Sequence, residues 1–394
     1  MKILKKLVID GCKDISGTIK ISGAKNSIVA LIPASILTSG VCVITNVPDI
    51  SDVRILIDMM EELGSIITFE NEVLTIDNSN VQNKKINEEY AGKLRASYYF
   101  MGSLIGKYHE AEIAYPGGCV IGSRPINYHI ESFKKMGINV KNVADHYIMK
   151  TDELKGNEFY FDFPSVGATI NIMLAAILAK GKTVIYNAAK EPEIANVASF
   201  LNSMGAKVFG AGTSTIEIIG VEELHDGFVE VIPDRIEAGT YIMIGALIGN
   251  NLKIENIVEK HLESLLYKLK EAGVKYEIND NSIILSKVEH LKPVNIKTTV
   301  YPGFPTDLGQ PMSTFLTQCE GESLFEETIY ENRLRHVPHL NSMGANIQAF
   351  DKKAIIIGKT PLVGKKVKAT DLRAGASMLV AGLIATGTTE IQNI

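Results

Sequence analysis

The sequence predicts an α/β protein of two lobes, each built from three αβ repeat units, with apolar helices buried inside and sheets laid around them. Three observations carry this expectation. Five helices end alike, at a glycine that leads into a strand: EELGSII at Gly64, KKMGINV at Gly137, NSMGAKV at Gly205, KEAGVKY at Gly273 and NSMGANI at Gly344, about 70 residues apart. A second element keeps step with the first, an apolar helix followed by a glycine and a β-branched strand. It reads IVALIPASILTSGVCVITNV, NIMLAAILAKGKTVIYNA, YIMIGALIGNNLKIENI and SMLVAGLIATGTTEIQNI. These helices are apolar on every side and belong in a core, whereas HLESLLYKLKEAG is amphipathic and faces solvent.

A period of about 70 residues is long for a solenoid, so each unit is expected to be a small αβ layer rather than one hairpin of a continuous array. The chain holds five glycine-terminated helices and then the buried helix and strand of a sixth unit, which stops at Ile394. A sixth glycine would fall past that residue, so the last repeat reads as incomplete. Six units divide most simply into two lobes, with crossings at ISGAKNS (21–27) and VIPDRIEAG (231–239). Residues 22–231 are expected to form one lobe, and residues 1–21 with 232–394 the other.

The 394-residue chain is too long for one ordinary core, and 46% apolar with 22% charged residues is a globular composition. It contains no tract of eighteen uncharged apolar residues, and Lys5, Lys6 and Asp10 interrupt its start, so neither a membrane span nor a signal peptide is expected. Cys12, Cys42, Cys119 and Cys319 lie far apart with no metal-type spacing, as in a reduced cytoplasmic protein without structural zinc. A net charge of -5 argues against general nucleic-acid binding.

Helix N-termini carry partial positive charge and ordinarily avoid cations. Here Lys25 opens the helix of GAKNS, Arg95 that of LRASYY, Arg124 that of SRPINYH and Arg373 that of DLRAGAS; Arg235 and Arg333 sit similarly in PDRIEAG and ENRLRHV. Any one could be a solvated surface residue, and Arg235 could pair with Asp234 and Glu237. Six together point to a small polyanionic ligand held by guanidinium forks and helix ends. Asp307, in the loop YPGFPTDLGQPM, is either a general base beside that anion or a helix cap. Asp52 and Asp371 are expected to cap helices or to pair with Arg54 and Arg373. Cys119 lies between glycines in YPGGCVIGSRPINYH, a turned or mobile backbone that suits chemistry better than core packing.

The motifs GAKNS, LRASYYFMGSLIG, PGGCVIGSRPINYH, FPSVGATINIM, PGFPTDL, TIYENRLRHV and TDLRAGAS resemble, in order and over essentially the whole chain, the enolpyruvyl transferase family. The cysteine loop points to its UDP-N-acetylglucosamine 1-carboxyvinyltransferase branch rather than to the 5-enolpyruvylshikimate-3-phosphate synthases. The resemblance implies a two-lobed inside-out α/β barrel of six αβ units and transfer of the enolpyruvyl group of phosphoenolpyruvate to the 3'-hydroxyl of UDP-N-acetylglucosamine, with release of phosphate. That is a step of peptidoglycan and cell-wall synthesis, carried out in the cytoplasm with no metal or organic cofactor and no obligate protein partner. By matching motif, Lys25 and Asn26 would bind phosphoenolpyruvate, with Arg124 and Arg373 closing on it. Arg95, Arg124, Pro125, Ile126, Asn127, Tyr128, Ser165, Val166, Gly167, Asp307 and Ile329 would line the UDP-sugar site, and Arg333 would join the substrate-binding cations.

Cys119 matches the family's cysteine that donates a proton to the methylene carbon, forms a covalent adduct there and is alkylated by fosfomycin. A thiol beside Arg124 and ahead of a helix is expected to have a lowered pKa. Asp307 would take the hydroxyl proton, and closure of the lobes would exclude water. Three departures stand out: Asn127 where the family has an acid, Gly309 where it has glutamine, and the ending at Ile394, before an arginine that meets phosphoenolpyruvate. Two other readings therefore stay open, a non-catalytic paralogue that binds the UDP-sugar and an enolpyruvyl transferase for another alcohol.

Overall fold

The computed structural model describes residues 6–86, 88–115 and 126–394. They form a mixed α/β structure that divides into two compact units. One comprises the described residues up to Ile21 together with Pro233–Ile394; the other comprises the described residues from Ser22 to Ile232.

The helices obey their composition. In the Ser22 to Ile232 unit, every residue from Ser27 to Ser35, from Tyr99 to Gly106 and from Ala168 to Ala176 is buried, in the helices Lys25–Ser35, Tyr99–Tyr108 and Val166–Ala176. Helices without a polar face have no surface to offer water, so they pack on one another and the sheets enclose them. Close approach needs small residues: a Cβ on Gly102 would lie 2.6 Å from the Asn171 carbonyl oxygen. The Ser51–Leu63 helix, by contrast, buries Val53, Leu56, Ile57, Met59, Met60 and Leu63, one face of the helix, and leaves Ser51, Arg54, Asp58, Glu61 and Glu62 exposed. In the other unit the central helices are Arg235–Ile248, Thr306–Leu316 and Leu372–Ile384, each packed on the other two. There the Glu263–Glu271 helix buries only Leu265, Leu266 and Leu269.

Each unit carries three sheets among its described residues. The first holds Gly227–Glu230, Val41–Thr45, Val73–Asp77 and Ile66–Glu70; then Glu110–Ala114, His146–Lys150 and Asn139–Val143; then Lys207–Phe209, Thr215–Ile219, Lys182–Tyr186 and Glu158–Tyr160. The second holds Tyr276–Asn279, Ser282–Leu285, Leu252–Glu255 and Thr18–Lys20; then Ile296–Lys297, Gly321–Glu326, Lys353–Gly358 and Asn346–Phe350; then Lys6–Asp10, Thr388–Gln392 and Lys366–Lys368.

In three sheets a parallel strand pair is joined by a central helix, as Glu158–Tyr160 and Lys182–Tyr186 are by Val166–Ala176. In two others the parallel partner comes from elsewhere in the chain: Thr18–Lys20 pairs with Leu252–Glu255, and Gly227–Glu230 with Val41–Thr45. The segments following Lys20 and Glu230 therefore exchange units.

All five repeat glycines adopt left-handed backbone, with φ of 109° at Gly64, 91° at Gly137, 99° at Gly205, 93° at Gly273 and 107° at Gly344. In each case the next residue's N–H closes a bond to the carbonyl five positions back, Ser65 to Met60, Ile138 to Phe133, Ala206 to Leu201, Val274 to Leu269 and Ala345 to Leu340. This is the Schellman ending, which favours glycine because a Cβ is disfavoured at that φ. Arg333 departs from expectation: it lies in a turn ahead of the Val337–Ser342 helix rather than at a helix start. No described helix is long and apolar enough to cross a membrane.

Gly137→Ala meets only ordinary contact, 3.4 Å from the Glu153 carbonyl oxygen, so backbone strain alone should cost about 1 to 2 kcal/mol. Gly64→Ala adds a clash at 2.6 Å with the Asn80 carbonyl oxygen and should lower the urea midpoint further than Gly137→Ala does. Equal midpoints for the two variants would contradict this account.

Candidate active site

The residues singled out from sequence fall into two groups, one in each unit. Cys119, Arg124 and Pro125 lie outside the described residues.

In the Ser22 to Ile232 unit, Lys25 opens its helix from an extended Ala24 that provides no side-chain cap. Its ammonium pairs with Asp52 at 3.0 Å, both side chains remaining partly exposed. Asp52 is thus the partner of Lys25 and not of Arg54, which makes a two-pronged bond to Asp49 at 2.8 and 2.9 Å. Asp49 and Arg54 flank the start of the Ser51–Leu63 helix, close enough along the chain to meet each other first. Asn26 follows Lys25, half-buried in the first turn.

Three separate motifs meet around His129. Arg95 begins the short turn Arg95–Tyr98 and lies 5.9 Å from the Tyr98 ring. Tyr98 sets its edge against His129 at 5.1 Å. A Cβ on Gly167 would stand 2.8 Å from the Tyr98 hydroxyl and 3.0 Å from His129 Cε1, so only glycine lets the Val166–Ala176 helix come this close. Ile126 precedes the Asn127–Lys135 helix, Asn127 begins it in an exposed position, and Tyr128 packs its ring 5.2 Å from Phe161. Ser165 caps the Val166–Ala176 helix, accepting from the Ala168 N–H at 3.3 Å, which leaves Val166 and Gly167 in the first turn.

His129 is fixed in one tautomer. The Asn171 amide oxygen accepts from the Gly102 N–H at 2.8 Å, so its NH2 is what faces His129 Nδ1 at 3.0 Å, and the ring proton sits on Nε2. Burial, helped by the charge of Arg95, pushes the His129 pKa down to about 3. His129 and Asn171 were not singled out from sequence, although His129 closes the quoted run SRPINYH; the bond between them spans 42 residues.

In the other unit, Asp307 is the centre. It is the second residue of the Thr306–Leu316 helix and makes no cap. Its oxygens accept instead from Arg333 Nη2 and, at 2.8 Å, from Arg373 Nη2. The capping alternative is thereby corrected: two arginines that arrive 26 and 66 residues later claim the carboxylate. Burial alone would raise the Asp307 pKa, but Arg373, then Arg333, with a further contribution from Arg235, hold it well below the usual carboxylate range.

Asp371 caps the Leu372–Ile384 helix, accepting from the N–H groups of Arg373 at 2.9 Å and Ala374 at 3.2 Å. Its side-chain ion partner is Arg333, with Nη1 at 3.6 Å, rather than Arg373. Gln310 donates to the Arg333 carbonyl at 2.8 Å and to Asp371 at 3.2 Å, and His336 Nδ1 lies 3.2 Å from the same carbonyl. Burial carries the His336 pKa down to about 4 against the opposing bond to that carbonyl. Asp234 caps the helix that Arg235 opens, accepting from Ile236 at 2.8 Å and Glu237 at 3.0 Å. Ile329 donates its N–H to Glu327 at 2.7 Å. The space beside Gly309 is taken by Phe325, whose ring would lie 2.8 Å from a Cβ there.

A family model described as EPSP synthase (3-phosphoshikimate 1-carboxyvinyltransferase) matches residues 9–394. The chain belongs to this family. Within the family, it is 49% identical over 99% of its length to the UDP-N-acetylglucosamine 1-carboxyvinyltransferase 2 of Listeria monocytogenes, covering 92% of that protein. It is also 49% identical to the protein of that name from Bacillus cereus, again over 99% of its length and 91% of the relative's. The enolpyruvyl transferase NikO of Streptomyces tendae shares its fold, with a TM-score of 0.89 at 23% identity over 99% of this chain and 93% of that one. The EPSP synthase of Acinetobacter baumannii superposes with a TM-score of 0.75 at 18% identity over 98% and 94% of the two chains.

His129 and His336 are neutral in the fold, and an ordinary histidine titrates near 6.5. Between roughly pH 4 and 6.5 the unfolded chain binds protons that the native chain refuses, so stability rises with pH there by up to about 1.4 kcal/mol per pH unit per histidine. Asp307, with a depressed pKa, contributes stability that is fully present above its unfolded value and is lost only at lower pH. The melting midpoint should therefore fall on acidification from pH 6.5 to 4.5, and His336→Gln should flatten that slope. A slope unchanged in the variant would count against the neutral assignment.

Proposed function

We propose that this chain transfers the enolpyruvyl group of phosphoenolpyruvate to the 3'-hydroxyl of UDP-N-acetylglucosamine and releases phosphate, a step of peptidoglycan synthesis in the cytoplasm. Close identity to enzymes of that name along nearly the whole chain supports the reading. The observation that carries its chemistry is Asp307 clamped between Arg333 and Arg373. The finer architecture goes with it: an inside-out α/β barrel of six αβ units, with residues 22–231 as one lobe and residues 1–21 with 232–394 as the other.

Arg333 and Arg373 converge on Asp307, with Asp371 also against Arg333, and such forks suit an anion because they match phosphate and carboxylate oxygens in pairs. At rest they hold Asp307 ionised and weakly basic. An arriving phosphoenolpyruvate draws Arg373 and Arg333 to its own oxygens, which returns basicity to Asp307 at the moment a proton acceptor is needed. Asp307 then takes the 3'-hydroxyl proton while the oxygen attacks the central carbon of phosphoenolpyruvate and Cys119 protonates its methylene carbon. The tetrahedral intermediate expels phosphate, and loss of a methyl proton restores the enol ether. Lys25 and Asn26, with Arg124, hold phosphoenolpyruvate. Arg95, Pro125, Ile126, Asn127, Tyr128, Ser165, Val166, Gly167 and Ile329 receive the UDP-sugar.

Phosphate release from the two substrates together, and from neither alone, tests the reading. Shikimate 3-phosphate in place of the UDP-sugar should yield none. Calorimetric binding of the UDP-sugar without phosphate release would identify a non-catalytic binding protein instead. Asp307→Asn should lower kcat by about a hundredfold or more, since it removes the proton acceptor and leaves the arginines in place.

Cys42 and Cys319 are buried with thiol pKa values pushed up to about 12, and burial and Asp14 raise that of Cys12. Thiolate chemistry near neutral pH is thereby left to Cys119. Fosfomycin should label wild type once and Cys119→Ser not at all; mass-spectrometric label on Cys12, Cys42 or Cys319 would refute this assignment.

A further inference from the structure

Glu327 follows the strand Gly321–Glu326 and is 1% exposed, a buried carboxylate that no motif brought forward. A charge taken out of water is costly unless every oxygen is bonded. Its bonds go to residues of the site described above, or to their immediate supports. Oε1 accepts from the N–H groups of Ile329 at 2.7 Å and Tyr330 at 3.2 Å. Oε2 accepts from the Thr306 hydroxyl at 2.8 Å. Thr306 is the first residue of the helix that carries Asp307, and its oxygen accepts from Arg333 Nε at 3.3 Å.

The direction of these bonds follows from the groups. An ionised carboxylate only accepts, so the Thr306 proton is committed to Glu327 and its lone pairs are left for the Arg333 Nε–H. Arg333 is thereby held on three sides, Nε by Thr306, Nη2 by Asp307 and Nη1 by Asp371. The backbone around Glu327 has its own anchors. Its N–H donates to the Lys352 carbonyl at 2.7 Å, and Thr328 bonds Thr298 through its N–H at 2.9 Å and its hydroxyl at 2.6 Å. The carboxylate is therefore not needed to fasten the segment to the sheet.

We propose that Glu327 is a positioning residue for the transfer reaction: by orienting Thr306 it sets the Arg333 guanidinium against Asp307, and by holding the Ile329 N–H it shapes the adjoining segment. This inference rests on the proposed function. Its consequence is kinetic, because a guanidinium free to swing no longer presents a fixed pair of donors to the incoming anion.

The test compares phosphate release, KM for each substrate and melting midpoint across four variants. Glu327→Gln keeps the shape and can still accept from Ile329, but its NH2 now donates to Thr306 and turns the hydroxyl proton toward Arg333. Its kcat should fall about tenfold to a hundredfold while KM for the UDP-sugar stays within about twofold. Thr306→Val should show the same loss, and Thr306→Ser, which keeps the hydroxyl, should recover most of it. The double variant Glu327→Gln with Thr306→Val should be no worse than either single change, because both break one relay. The proposal is overturned by a Glu327→Gln kcat within about twofold of wild type, by losses that multiply in the double variant, or by losses that track the melting midpoint. Should Glu327→Gln fail to fold, the Thr306 pair decides, and Thr306→Val at the wild-type rate sinks the idea. Wild-type protein without turnover overturns the proposed function and this inference with it, whereas an active wild type with unaffected variants overturns this inference alone.

Discussion

Helices buried on every side leave a chain little choice. Lys25–Ser35, Val166–Ala176 and Thr306–Leu316 each contain an unbroken buried run of nine residues, so nothing along that run faces water. The sheets and the amphipathic helices exist, in effect, to enclose them. Charged side chains are tolerated only where such a helix ends, because there the ends of its backbone need partners in any case. Lys25, Asp307 and Arg373 all stand in first turns ahead of apolar interiors. The constraint that builds the core thus also places the chemistry.

Cations at helix starts work against the helix dipole, and the protein offsets them locally before any ligand arrives. Asp52 sits against Lys25, while Asp234 and Asp371 cap the helices entered by Arg235 and Arg373. Asp307 lies between Arg333 and Arg373. These pairings offset the cations within the fold itself. Arg333 and Arg373 share Asp307, Arg333 also meets Asp371, and guanidinium forks can exchange one set of carboxylate or phosphate oxygens for another. The same pairing that orders these side chains holds the Asp307 carboxylate well below its usual range, and in the reaction proposed above the substrate's own oxygens are what would free it to act as a base.

Much of this was legible in the residues. A glycine where a helix must turn left-handed is a steric requirement of its own backbone, so the five endings from Gly64 to Gly344 could be read from their neighbours, and each is a Schellman turn. Helices without a polar face could be read as buried for the same local reason. Among the described cations, Lys25, Arg235 and Arg373 stand at helix starts and Arg95 opens a short turn, whereas Arg333 lies in a turn ahead of the Val337–Ser342 helix.

Tertiary structure alone decided which carboxylate belongs to which cation. Sequence offered Asp52 to Arg54, yet the fold gives Asp52 to Lys25 and leaves Arg54 to Asp49. It converts Asp307 from a possible cap into the shared partner of Arg333 and Arg373, and joins Asn171 to His129 across 42 residues. The physical reason is one of range: a cap or a left-handed turn depends on atoms a few bonds away. An ion pair or a fixed tautomer depends on where packing brings distant segments, and many pairings of charge fit the same composition until the helices are stacked.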